Sequence, residues 1–247
     1  MKIRKKSLAV ILVVLTVLLS VCAAFSASAA SIKEGTYKKV AKEAYYKISV
    51  SGEGYITLYG KSSKSSSSGY SFASMDCELL NSKKEAVTEY SSDCSVYTYT
   101  SGKPTESKKI PVSKGTYYIH VESVSSNNGG ASYVKYTFKS VKQPTNYCVA
   151  KATTLKASTK ATVYQTPQYN FDRWYKIKLT KNQKVTISYS SSASGIELYS
   201  ADGERINLDY SNKTLKSKIK LASGTYYICY KALYDFAHAD YSTFSWK

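Results

Sequence analysis

A chain of 247 residues carrying 35 Lys+Arg against 17 Asp+Glu, a formal net charge of +18, is long enough for two ordinary domains and strongly cationic. Beyond the first thirty residues only Arg173 and Arg205 are arginine, and all 25 Tyr lie in that same region. Base readout usually exploits the flat bidentate fork of arginine, so lysine dominance counts against a nucleic-acid reader. What remains is the ordinary use of lysine to keep a β-rich surface soluble, or loose attraction to anionic polymers.

The first element is a leader. Lys2, Arg4, Lys5 and Lys6 precede an apolar run from Leu8 to Leu19, and small residues from Ala23 to Ala30 follow. That order reads as a Sec signal peptide over residues 1–30, cleaved after Ala29 or Ala30. The run falls short of the roughly 20 residues a bilayer span needs. The expectation is an exported, extracellular protein with no membrane span, free or held at the cell surface. Removing the leader takes four basic residues and no acids, leaving 31 Lys+Arg against 17 Asp+Glu, a net of +14.

Short period-two strands follow, with little to suggest helix. Tyr45–Val50 and Tyr55–Leu58 lead into a Ser-rich stretch, Lys61–Gly69. Cys77–Glu85 holds a strand and a Lys83-Lys84 turn, and an insertion near Tyr90–Thr100 carries Cys94. Gly115-Thr-Tyr-Tyr-Ile-His-Val121 and Tyr133–Phe138 complete the first half. The second half repeats the order with Trp174–Leu179, Lys184–Tyr189, Ile196–Tyr199, an Asp202-Gly203 turn, and Leu215–Leu221, in which Leu215, Ile219 and Leu221 face in. Gly224-Thr-Tyr-Tyr-Ile-Cys-Tyr230 and Tyr241–Trp246 close it.

Lys109–Ile119 matches Lys218–Ile228 without a gap, at a spacing of 109 residues. Solenoid units run roughly 20–50 residues, so this spacing implies two related β-sandwich domains, over 31–143 and 144–247. Four Cys lie beyond the leader, two in each half, suggesting Cys77–Cys94 and Cys148–Cys229, although three connectivities stay open. No Cys-x-x-Cys occurs and the two His stand alone, so no metal site or cofactor is expected.

His238 and Asp240 are the one His–carboxylate pair close in sequence, but no nucleophile or oxyanion site accompanies them, so the chain reads as non-catalytic. The aromatic excess points elsewhere. In each Gly-Thr-Tyr-Tyr segment one ring turns in and one out, and outward Tyr118, Tyr227, Trp174 and Tyr199 are candidate platforms for sugar rings.

Trp174-Tyr-Lys-Ile, the Ile196-Glu-Leu-Tyr strand with its Asp202-Gly203 turn, and the Leu221–Ile228 segment resemble the bacterial pre-peptidase C-terminal domain; the first half matches more loosely. That resemblance implies an all-β chain of two tandem jelly-roll-like antiparallel β-sandwiches after a signal peptide. It also implies an accessory binding or spacer role. The expected partner is an extracellular polysaccharide or anionic cell-wall polymer. A structural or protein-interaction module serving a secreted partner enzyme is the alternative.

Overall fold

The computed structural model describes residues 29–63, 73–88, 94–99, 104–126, 130–142, 144–190, 195–232 and 239–247. The leader through residue 28, most of the Ser-rich stretch, part of the 90–100 insertion, Gln143 at the expected seam, and His238 lie outside them.

In the first half, β1 (Ala30–Ser31), β3 (Ala44–Val50), β5 (Ala73–Leu80), β6 (Ser95–Tyr99) and β9 (Gly115–Ser126) form one sheet in the order β1-β3-β9-β5-β6. Its partner sheet contains β2 (Lys38–Lys39), β4 (Gly54–Ser63), β7 (Thr105–Glu106), β8 (Ile110–Val112) and β10 (Ala131–Ser140), in the order β2-β10-β4-β7 with β8 also on β4. In the second half, β11 (Thr153–Thr154), β13 (Arg173–Leu179), β15 (Ile196–Ser200), β16 (Arg205–Ile206) and β19 (Gly224–Tyr230) run β11-β13-β19-β15-β16. The last sheet holds β12 (Ala161–Gln165), β14 (Thr186–Tyr189), β17 (Leu208–Ser211), β18 (Thr214–Ser217) and β20 (Asp240–Trp246), ordered β12-β20-β14-β18-β17. The fold is an all-β sandwich, and the described residues contain a 3-10 turn at Val149–Lys151 but no α-helix. Pairing is antiparallel except at two edges: β1 lies parallel to β3, and β11 parallel to β13, where the chain runs two residues along one sheet before crossing to the other.

Alternation builds two cores. Ile48, Val50, Ile56, Leu58, Leu79, Ile119 and Val121 meet in the first, and Ile177, Leu179, Val185, Ile187, Leu198, Ile228 and Phe244 in the second. Each fully buried aliphatic side chain contributes about 1.5–3 kcal/mol by leaving water. Trp246 closes the second core, its Nε1–H donating to the Leu155 carbonyl at 2.9 Å.

Matched positions in the two halves reveal how the sequence bends the rules. Gly203 takes φ +86° in the β15–β16 turn, and at the matching place Lys84 is left-handed at φ +65°. Asn81 makes that possible, its Oδ1 accepting from the backbone N–H of Lys83 at 2.8 Å and of Glu85 at 3.1 Å. Ile110 is fully buried on β8, but its counterpart Ile219 is 66% exposed. The expected strand 215–221 stops at Ser217, whose Oγ turns back to donate to the Ile219 carbonyl at 2.8 Å and accepts from Val185 N–H. Arg173 is a charged residue on the inward face, in phase with Tyr175, Ile177 and Leu179. It is 1% exposed, and its guanidinium donates to the carbonyls of Phe171 at 3.1 Å and Tyr169 at 2.8 Å.

The expected disulfides do not form: Cys77, Cys94, Cys148 and Cys229 are thiols. Cys77 stands opposite Val96, while the Cys94 carbonyl bonds the N–H of Leu79, so the two cysteines are diagonal neighbours. Diagonal Cα atoms sit roughly 7–8 Å apart, beyond the usual disulfide range. Cys229 pairs with Trp174 on one side of β13, whereas the Cys148 segment reaches β13 from its other side through the Asn146 carbonyl, so a strand separates them.

Candidate functional site

Three of the four aromatics singled out by sequence come together. Trp174 on β13, Tyr227 on β19 and Tyr199 on β15 share the outer face of one sheet, with Tyr227 opposite both Lys176 and Tyr199. Trp174 and Tyr199 pack at 5.3 Å between ring centroids. The Tyr199 hydroxyl donates to Glu197 Oε2 at 2.6 Å, and Glu197 pairs with Arg205 at 3.0 Å, so the Tyr199 phenol is pushed up to about 12, chiefly by that hydrogen bond. Beside them Lys231 pairs with Asp172 at 2.7 Å, and the Cys229 thiol is raised by burial. Tyr118 does not join this patch: it sits on β9 of the first half, opposite Lys47, at the place matching Tyr227. Of the His–carboxylate pair, His238 is outside the described residues, and Asp240 accepts from the Tyr230 hydroxyl at 2.9 Å.

A larger aromatic face escaped the sequence reading. On β4 and β10 the outward residues pair across the strands as Tyr133 with Lys61, Tyr59 with Lys135, Thr57 with Thr137 and Tyr55 with Lys139. The result is a checkerboard of rings and ammonium groups. Lys61 lies 4.2 Å over the Tyr37 ring and Lys135 lies 4.3 Å over Tyr59. Such cation–π contacts hold about 0.5–1 kcal/mol each at exposed sites and fix both partners in place. Tyr55, Thr57, Tyr59, Glu106, Lys109, Thr137 and Lys139 line a groove of about 410 Å³ here.

The groove runs on into the seam between the halves. Tyr55 meets Tyr241 of β20 edge to face at 5.3 Å, and Lys109 sits 5.0 Å over both rings while donating to the Tyr241 hydroxyl at 3.1 Å. That hydrogen bond raises the Lys109 pKa and keeps it charged. Lys109 also lines an adjoining cleft of about 300 Å³ with Lys108, Pro111, Ser190, Asp240 and Tyr241. Further contacts across the seam tie the halves together: Ala239 N–H donates to Val87 O at 2.9 Å, and Ser113 Oγ lies 2.9 Å from Thr166 Oγ1. On the matching strands β14 and β20 of the second half, Thr186, Ser188, Thr243 and Ser245 take these places, and Tyr241 is the ring that shares their face. The Tyr/Lys alternation is therefore a feature of the first half and is not imposed by the shared fold.

The first half carries one more cluster, on its other sheet. His120 stacks on Tyr45 at 4.3 Å, with Nδ1 3.5 Å from Glu78 Oε1. Burial and the charge of Glu122 raise the carboxyls of Asp76 and Glu78, the latter eased by its hydrogen bond to His120.

No family model and no curated protein matches the sequence. Among solved structures, the chain is similar to the PBSX exported protein XepA at 8% identity and TM-score 0.26, covering 87% of this chain and 88% of that one. It is similar to the CUB1-EGF-CUB2 domain of human MASP-1/3 at 9% identity and TM-score 0.23, covering 90% and 97%. Tripeptidyl peptidase 2 gives 11% identity and TM-score 0.27 over 88% of this chain and 24% of that one. Likeness this low carries no argument about function.

Proposed function

We propose that this is a secreted, non-catalytic binding protein whose ligand is an extracellular polymer, an acidic polysaccharide or anionic cell-wall polymer, held on the Tyr/Lys face of β4 and β10. The accessory-module reading of the two halves fits this role. The observation that carries it is the cross-strand alternation of Tyr133, Tyr59 and Tyr55 with Lys61, Lys135 and Lys139 on one sheet face, where Tyr55, Tyr59 and Lys139 line a groove. Sugar rings offer C–H faces to the electron-rich faces of tyrosine, and lysines spaced between the rings meet carboxylate or phosphate groups along the same strand. The Trp174–Tyr199–Tyr227 patch on the other half supplies a second contact. Two contacts on one chain suit a repeating ligand, because the second forms at high effective concentration.

Retention on purified cell wall and on a panel of neutral and acidic glycans, measured against salt, tests this. The wild-type protein is retained, and retention weakens as salt rises past physiological strength, where the Debye length is about 8 Å. Changing Lys61 and Lys135 together to Gln flattens the salt dependence; changing Tyr55 and Tyr59 together to Ala abolishes retention at every salt. Retention no better than that of an unrelated β-sandwich of equal charge overturns the proposal and leaves a protein-interaction module serving a secreted enzyme.

A further inference from the structure

Glu78 on β5 and His120 and Glu122 on β9 bring one ligand atom each to within 4.8 Å of one another. The His120 Nδ1–Glu78 Oε1 separation of 3.5 Å matches the roughly 3.4 Å that separates two ligands bound at about 2.0–2.1 Å to a tetrahedral ion. The imidazole is held by its stack on Tyr45, and its Nε2 is buried without a hydrogen-bond partner. All of its polar contact therefore runs through Nδ1, the nitrogen facing the carboxylates. The strand register skips Glu122, passing from Asp76 opposite Ser123 to Cys77 opposite Val121, a bulge of the kind that re-aims side chains. Asp76, Glu78 and Glu122 crowd together in a strongly basic protein, and among the described residues no Lys or Arg forms an ion pair with any of them.

The second half shows what the same place looks like without this purpose. Glu197, Cys229 and Lys231 occupy the positions matching Glu78, His120 and Glu122. There Arg205 neutralises Glu197 at 3.0 Å, and Lys231 is committed to Asp172 at 2.7 Å. The uncompensated set belongs to the first half.

We propose that Glu78, His120 and Glu122 form a binding site for a divalent transition-metal ion, with Zn²⁺ the best fit. One imidazole nitrogen and two carboxylates are donors that such an ion accepts, whereas Ca²⁺ asks for six or more oxygens. Glu122 is exposed, so the remaining coordination positions open to water. The site stands on the opposite sheet from the Tyr/Lys face and does not depend on polymer binding.

Zn²⁺ titration of the whole mature protein in metal-free buffer at neutral pH, read by competition with a chromophoric chelator, tests it. Wild type and Glu197→Gln bind one equivalent, with no competition from millimolar Ca²⁺. His120→Phe keeps the stack on Tyr45 and loses at least ~100-fold in affinity, and Glu122→Gln loses at least ~10-fold. Circular dichroism checks the fold of each variant. Glu122 is exposed, so Glu122→Gln decides the matter if His120→Phe does not fold. No binding at millimolar Zn²⁺ overturns the proposal. Equal binding by wild type and both variants overturns it too, since thiols or His238 then hold the ion.

Discussion

Gly54 opens β4 where it meets the end of β10, opposite Ser140. A Cβ added there would stand 2.2 Å from the Lys139 carbonyl oxygen and 2.7 Å from Phe138 Cε2. The obstructing atom is backbone, so Gly54→Ala forces β10 to retreat by about 1 Å at a close-packed edge, and such overpacking costs about 1–3 kcal/mol. For a chain of this size each kcal/mol lowers Tm by about 2–4 °C, so the loss is roughly 2–12 °C. Gly52 is the internal control: a Cβ there meets nothing within 4 Å. Gly52→Ala is expected to be neutral or to stabilise by up to ~1 kcal/mol, through the lower entropy of the unfolded chain. Thermal melts of residues 31–247 and of both variants, followed by circular dichroism, measure the contrast. A Gly54→Ala melt within 1 °C of wild type refutes the packing at this edge, as does an equal loss in the two variants.

Two other outcomes follow from the thiols and from one ion pair. Alkylation in urea without reductant modifies all four thiols of the mature chain, whereas in native buffer the half-buried Cys148 reacts well before Cys77 and Cys229, which are buried and whose thiols burial raises; protection of all four in urea would restore the disulfides. Burial alone would raise Asp172, but Lys231 and the Ala232 N–H bring it below its ordinary 3.8, while the bond to Asp172 lifts Lys231 above 10.5. A depressed carboxyl stabilises the fold above its unfolded pKa and loses that contribution as pH falls through the folded value; the raised lysine loses its share as pH climbs above its unfolded value. Asp172→Asn is thus destabilised by a constant amount between about pH 5 and 9, and the gap from wild type narrows below about pH 4 and above about pH 10.5; a gap that widens in acid contradicts the assignment.

Strand after strand was readable because alternation carries the core: Tyr175, Ile177 and Leu179 are inward as their spacing requires, and so are Val185 and Ile187. The misreadings share a physical origin. Period two says which face a residue takes but not where pairing stops, so Ile219 looks inward until Ser217 turns the chain away. It also assigns no partner, so Cys77 and Cys94 look bridgeable although they meet on a diagonal. The face readings of Trp174, Tyr199 and Tyr227 brought real neighbours together because all three sit on adjacent strands. Tyr55, Tyr59 and Tyr133 were passed over because their pairing with Lys139, Lys135 and Lys61, respectively, joins residues 72 to 84 apart in the chain. Glu78 and His120 meet by the same long-range route, which no local spacing records.

The position of the final strand in each half sets an order in time. β10, the last strand of the first half, lies between β2 and β4, and β20, the last of the chain, lies between β12 and β14. Neither sheet can close around its interior strand until that strand has been made. All strands of the first half are made by residue 140, although Ala239, just before β20, also packs into its core. The second half must wait for Trp246, so through nearly all of its synthesis Leu155, Val163 and Ile187 lack the strand and the indole that finish their core. Loss of β20 removes an interior strand and separates β12 from β14 in the second half.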